Sequence, residues 1–172
     1  MKTLNWKRTD WTARNFIFSI GQEVIGQLTF NSTWNFKAVY VDKETKLKFT
    51  QKNFWDRDII ITQGGKTLGV IHSGLFGEQT LKLLTGERFF ISTSMWEQEA
   101  YLKSEKGETI VSYKQATFSS LEKGLIGLKD SLTTETEKLL IISGLFARQI
   151  ARKRIARAVL VIIPIIAASS RL

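Results

Sequence analysis

The 172-residue chain contains no cysteine, one proline and one histidine. Without cysteine there are no disulfides, no thiolate metal site and no thiol nucleophile. That composition fits the cytoplasm, which is the expected location. A single histidine leaves no Ser/His/acid or Cys/His set to assemble, and His72 alone cannot build a typical zinc site. Its place at the end of a strand pattern points to a partly buried structural role. The opening MKTLNWKRTDW has no apolar run after its charges, so a secretory signal is not expected. The proline is Pro164, so no strand candidate carries a proline to protect an edge. Residues 138–172 contain no acid at all.

What is present is an ordinary globular composition, 43% apolar and 24% charged, with room for one real core. The net charge of +9 is unevenly placed. Residues 1–137 carry 18 basic and 16 acidic side chains, whereas Lys138, Arg148, Arg152, Lys153, Arg154, Arg157 and Arg171 put +7 on the last 35 residues. A basic tail on a near-neutral body suits an anionic partner: a lipid surface, an acidic protein patch or a nucleic acid. A solvated tail that merely aids solubility is the plain alternative.

From Arg14 to about Leu128 apolar and polar residues alternate with period two, broken at short intervals by turn residues. NFIFSI, EVIGQLTF, FKAVYV, KLKFTQ, RDIIIT, TLGVIHS, QTLKLL, RFFIST, EAYLKS and ETIVSYK read as strands, and TFSSLEKGLIGL as a looser one. With an N-terminal strand near residues 4–11 there are about twelve. No helix long enough for a parallel crossover fits between them, so the sheet should be antiparallel. A closed barrel removes the edges that proline would otherwise protect.

The pattern then turns helical. Thr134 and Glu137 have capping-box spacing, and Leu139, Leu140, Ile141, Ile142, Leu145, Phe146, Ala147 and Ile150 cover every side of the wheel. A helix apolar all round is wholly buried or in a membrane, and 139–147 is far short of the ~20 residues that span one. A twelve-stranded barrel leaves a hole, and an α-helix ~10 Å across fills it. Ser143 and Gly144 would let the helix backbone approach the wall closely. The expected fold is therefore all-β with one central helix: a closed antiparallel barrel of about twelve strands threaded by a C-terminal apolar α-helix. Residues 1–150 would form the barrel and plug, with the helix at about 134–154 and a basic then apolar tail over 151–172.

A meander of about twelve short strands followed by one apolar helix, seen in EVIGQLTF, TLGVIHS and KLLIISGLFARQI, resembles the tubby C-terminal-like superfamily. That superfamily includes the tubby domain, the phospholipid scramblases and the LURP-one-related proteins. The resemblance covers roughly residues 15–149. It implies a membrane-linked or scaffolding module and no enzyme. This chain lacks the cysteine cluster that scramblases palmitoylate and has no acidic calcium loop, which speaks against Ca²⁺-driven scrambling. It also adds residues 152–172 beyond the plug.

A search for chemistry finds little. QGGKT lacks the first P-loop glycine, since Ile60 stands in its place, and a strand follows where a helix is required, so it reads as a hairpin turn. Asp56/Asp58 and Glu97/Glu99 read as solvated carboxylates. Trp34, Phe36, Tyr40, Phe54, Trp55, Trp96 and Tyr101 cluster near turns without the interleaved basic residues of a base-stacking sheet, so barrel-end packing is expected. No catalytic residue, metal ligand or cofactor is assigned.

The tail carries the functional expectation. Arg148, Arg152, Lys153, Arg154 and Arg157 fall at every angle of the wheel and are the candidate anion or lipid contacts. Val159, Leu160, Val161, Ile162, Ile163, Ile165 and Ile166 are the candidate apolar anchor, in a run of eleven apolar residues that can dip into a bilayer beside a basic collar. The same run could instead fold back over a barrel end. The leading expectation is a non-catalytic module, peripheral at the membrane, docked on anionic phospholipid or a membrane-bound assembly. The alternative is an accessory subunit whose tail inserts into a protein partner. Nucleic-acid binding is the weakest of the three.

Overall fold

Wherever apolar and polar residues alternate, a strand forms with its apolar phase turned inward. These strands are β1 (Lys2–Arg8), β2 (Asn15–Ile20), β3 (Glu23–Phe30), β4 (Ala38–Val41), β5 (Lys46–Gln51), β6 (Ile59–Gln63), β7 (Lys66–Ser73), β8 (Gln79–Leu83), β9 (Arg88–Thr93), β10 (Glu99–Ser104), β11 (Thr109–Gln115) and β12 (Lys123–Leu128). The computed structural model describes residues 2–32, 36–51, 57–74, 78–93, 98–117, 120–129 and 134–169, without the side chains of Thr134 and of 157–169. Each strand pairs antiparallel with its neighbour in sequence. β1 closes the barrel against β12, from Lys2 opposite Leu128 to Lys7 opposite Lys123. No strand edge is left over, which is how a proline-free sheet avoids edge pairing.

The register carries a recurrence that the sequence pattern did not reveal. One residue is left unpaired in each of the hairpins β2–β3, β6–β7 and β10–β11: Ile25, Leu68 and Ile110. These bulges lie four strands apart, so the barrel repeats itself in three sectors. A bulge bends its strand and sharpens the twist, which helps a small barrel to close.

The last element is α1 (Thr134–Ser169), which runs through the barrel. Every residue from 140 to 150 is buried. Eleven helical residues rise ~16 Å, matching the ~15 Å height of a six-residue strand tilted by ~40°. Phe146 stacks on Phe49 at 4.4 Å and on Phe30 at 5.4 Å between ring centroids. On another side Tyr113 donates its hydroxyl to the carbonyl of Ile141 at 2.8 Å. Gly144 makes that contact possible, because a methyl group there would lie 2.7 Å from Tyr113 Cζ and closer still to its oxygen. Each buried Leu, Ile or Phe of the plug contributes about 1.5–3 kcal/mol relative to exposure.

Two expected boundaries move. The helix continues to Ser169 rather than stopping near 154. Arg, Lys and Ala favour continuation as far as 158, and neither glycine nor asparagine follows Ile150 to cap it. The last turns run on despite Pro164 and the β-branched residues around it. The looser strand expected over 117–128 begins only at Lys123. Glu137, expected to cap the helix start, accepts both its ion-pair hydrogen bonds from Lys2, at 3.1 and 3.2 Å.

Candidate functional site

The two mouths of the barrel are built differently. At the hairpin end, where α1 begins, the strands are joined by two or four residues; at the loop end, where it leaves, by five to seven. Four basic residues of α1, Arg148, Arg152, Lys153 and Arg154, meet the loop end in different directions. Arg148 pairs with Glu122, hydrogen-bonds Gln115 at 2.6 Å, and sets its guanidinium 5.1 Å over the ring of Trp6. Arg152 reaches the same Glu122 at 2.5 Å and the same Gln115 at 3.2 Å. Gln149 donates to Glu122 at 3.0 Å. Lys153 lies 3.8 Å over the ring of Phe30, with Ser32 O at 3.5 Å. Arg154 lies 5.2 Å over Phe36, with the carbonyl of Arg57 at 3.5 Å.

This explains why these side chains fall at every angle of the wheel. A helix leaving a round mouth meets its rim in several directions, and here the rim supplies an acid, an amide, carbonyls and ring faces. Arg148 is accordingly not a surface cation. Its side chain is 7% exposed and Glu122 only 6%, so the pair lies inside the wall and not at a head-group surface. Burial lowers the pKa of the Arg148 guanidinium, while Glu122 beside it acts in the opposite direction. Arg152 is half exposed. A cleft of about 600 Å³ opens next to the cluster, between Gln115, Glu122, Arg8 and the outer turn of α1.

The backbone bearing Arg157, Val159, Leu160, Val161, Ile162, Ile163, Ile165 and Ile166 is helical, and their side chains lie outside the described residues. The 19 residues from 151 to 169 add ~28 Å of helix beyond the last fully buried turn. Among the described residues no helix is long and apolar enough to cross a membrane.

Glu122 was missed from the sequence, yet a signal was there. It stands in phase with the inward-facing Gly124, Ile126 and Leu128. An acid on the inner face of a barrel demands a buried cation, and Arg148 is the one supplied by the plug.

The hairpin end holds a second feature. An apolar cleft of about 570 Å³ lies between α1 and the inner face of β1, β2, β3 and β12. Ion pairs rim it: Lys2 with Glu137 at 3.1 Å, and Lys138 with Asp42 at 2.8 Å. Burial alone would raise the pKa of Asp42. Hydrogen bonds from Lys138, the N–H groups of Glu44 and Thr45, and the Tyr40 hydroxyl outweigh it and lower the value to about 2. Burial, with Asp42 alongside, pushes the Tyr40 phenol well above its ordinary range.

The remaining candidates fall into place. His72 faces outward on β7 with its side chain half exposed and Nδ1 2.9 Å from Asp58 Oδ1, because Ile71 and Ser73 take the inward phase. Gly64 and Gly65 form the β6–β7 turn with positive φ values of 56° and 84°, as a two-residue hairpin turn requires. Phe36 and Tyr40 are buried, and Tyr101 bonds Glu99. Trp34, Phe54, Trp55, Trp96, Asp56 and Glu97 lie outside the described residues. Among the described residues no group of three His, Cys, Asp or Glu side chains could hold a metal ion.

Set against protein-family models, curated proteins and solved structures, the chain has no significant match.

Proposed function

We propose that the protein is a non-catalytic, membrane-associated module whose barrel grips one half of α1 and whose outer half docks on an anionic leaflet. The observation that carries this reading is the unbroken helix. Three turns of α1 are locked inside the barrel, and the same helix continues to Ser169. The acid-free apolar run 158–168 is thereby presented on a firmly held stalk, directly after a basic ring. Eleven helical residues extend ~16 Å, about half of a ~30 Å hydrocarbon core. That length suits insertion into one leaflet, with nearby cations adding ~1 kcal/mol each at an anionic surface. The closed barrel threaded by a helix also supports reading the chain as tubby-like, of the membrane-linked or scaffolding kind, working at the cytoplasmic face.

Flotation with vesicles tests it. The full chain should float with vesicles containing phosphatidylserine, less with pure phosphatidylcholine, and less again as salt is raised. A chain cut after Arg157 keeps every rim contact found among the described residues at the loop end. It should fold with unchanged cooperativity and stay at the bottom of the gradient. Reversing Arg152, Lys153 and Arg154 is the poorer test, since those residues also seat the helix. If the full chain ignores every vesicle but is retained by a membrane-bound protein assembly, the apolar run is a helix for a protein groove and lipid docking is wrong.

A further inference from the structure

We infer that the cleft at the hairpin end is a binding site for an uncharged hydrocarbon chain of medium length, such as the alkyl part of a neutral amphiphile. This does not rest on membrane docking, which concerns the opposite mouth. The walls are Leu4, Phe18, Ile25 and Leu128 from the strands and Ile141 and Ile142 from α1, around about 570 Å³. That volume lies within the ~300–1,000 Å³ of small-molecule sites. One turn of helix, ~10 Å across and ~5.4 Å high, already fills roughly 400 Å³. Less than two turns of a partner helix would fit, too few for a stable helix, whereas a flexible chain fits.

The space belongs to the architecture of the barrel. Ile25, Leu68 and Ile110 are the unpaired bulge residues of three corresponding hairpins. In the third sector Ile110 is buried, whereas in the second Leu68 is only half-buried beside a more polar cleft. In the first sector Ile25 is only half-buried and faces the cleft. One position of the repeat is filled and its two counterparts are open, of which the first has the apolar walls.

The rim decides the chemistry. Lys2 is paired with Glu137, Lys138 with Asp42, and Lys43 lies 3.7 Å from Glu23. With Glu44 also at the rim, three lysines face four carboxylates. Such a rim gives an anionic head group no net attraction and a cation little. Selection must come from burial of the chain, at about fourfold in affinity per methylene.

Calorimetry and methyl NMR on the full-length protein test this with 1-octanol, 1-decanol, decanoate and decyltrimethylammonium as probes. Decanol should bind saturably at one per chain and about tenfold or more tighter than octanol. It should shift the Ile141 and Ile142 methyl signals and outcompete both charged probes. Ile20 and Thr3 stand exposed at the lip. Ile20→Trp should weaken decanol at least tenfold without changing the melting temperature; if that variant fails to fold, Thr3→Trp provides the same measurement. Absence of saturation, affinity independent of chain length, decanoate binding tighter than decanol, or binding indifferent to a folded lip variant would each overturn the site.

Discussion

At the hairpin end, Lys2 and Lys138 meet Glu137 and Asp42 around the rim of an apolar cleft, and Lys2 remains largely in solvent. At the loop end the charges go inside: Arg148 and Glu122 pair within the wall, and Arg152, Lys153 and Arg154 ring the mouth just beyond. The plug is thus apolar below and basic above. Such a helix has one permitted depth. A slip of one turn, ~5.4 Å, would carry Arg148 toward the Phe30–Phe49–Phe146 stack or Phe146 into the polar layer. The apolar turns provide most of the burial, and the charged ring fixes the register. A buried pair used for register need not add stability, since well-packed apolar replacements often do as well.

The largest break in that comparison is a charge placed in the apolar half. Ile142 is 1% exposed on the plug. Ile142→Asp buries an unpaired carboxylate, which costs several kcal/mol against a total stability of ~5–15 kcal/mol. The variant should lack a cooperative thermal transition, and a wild-type melting curve would refute a central helix. Next comes the polar half. Glu122→Gln leaves Arg148 buried without its carboxylate and should cost about 3 kcal/mol in urea unfolding. The double change Glu122→Leu with Arg148→Met should recover most of that loss, because it removes the desolvation of both groups. A double variant as unstable as Glu122→Gln would mean that the pair does more than set register. Gly144→Ala is smaller. Its methyl meets Tyr113, an overpacking cost of about 1–3 kcal/mol, and the loss should shrink in a Tyr113→Leu background if the tyrosine is its cause.

How much of this could be read from residues follows the same division. The barrel was legible because period two leaves only one way to bury every apolar phase without proline at an edge. Leu140, Ile142, Leu145 and Phe146 marked the plug, and Gly144 its close approach to the wall. The three bulges were overlooked, although the adjacent apolar pairs Val24–Ile25 and Ile110–Val111 break the period of two at two of them. The loop-end seat, by contrast, was hidden. Arg148 and Arg152 look alike in sequence, and only the inward phase of Glu122, across a connection taken for strand, separates the buried cation from the half-exposed one. The helix end at Ser169 was missed because a change from basic to apolar was taken for a change of structure, although no helix breaker stands at that point.

An effect of similar size belongs to the hairpin end and is read by pH. Asp42 has a folded-state pKa of about 2 against an ordinary 3.8, so the folded state binds its proton less readily than the unfolded chain. Its stabilisation is complete above about pH 4 and disappears as pH falls through about 2. The loss amounts to about 2 kcal/mol. Glu99 and Glu108 also have lowered values, through Tyr101 and Lys114 in one case and Lys129 in the other. Those groups stand on the outer surface, where salt screens the lysine part of each shift, whereas Asp42 is 6% exposed beside Lys138. Asp10 also has a lowered value, because its burial, which would raise it, is outweighed by hydrogen bonds from the Arg14 N–H and from Thr12 and Asn15. The Asp42 contribution is therefore read as the difference between wild-type and Asp42→Asn proteins in urea unfolding at pH 7, 4 and 2. Asp42→Asn should be less stable than wild type at pH 7 and should lose less on going from pH 4 to pH 2. Wild-type and Asp42→Asn proteins falling in parallel over that interval would show that the acid-sensitive group lies elsewhere, and that the rim pair at the hairpin end is as dispensable as an exposed one.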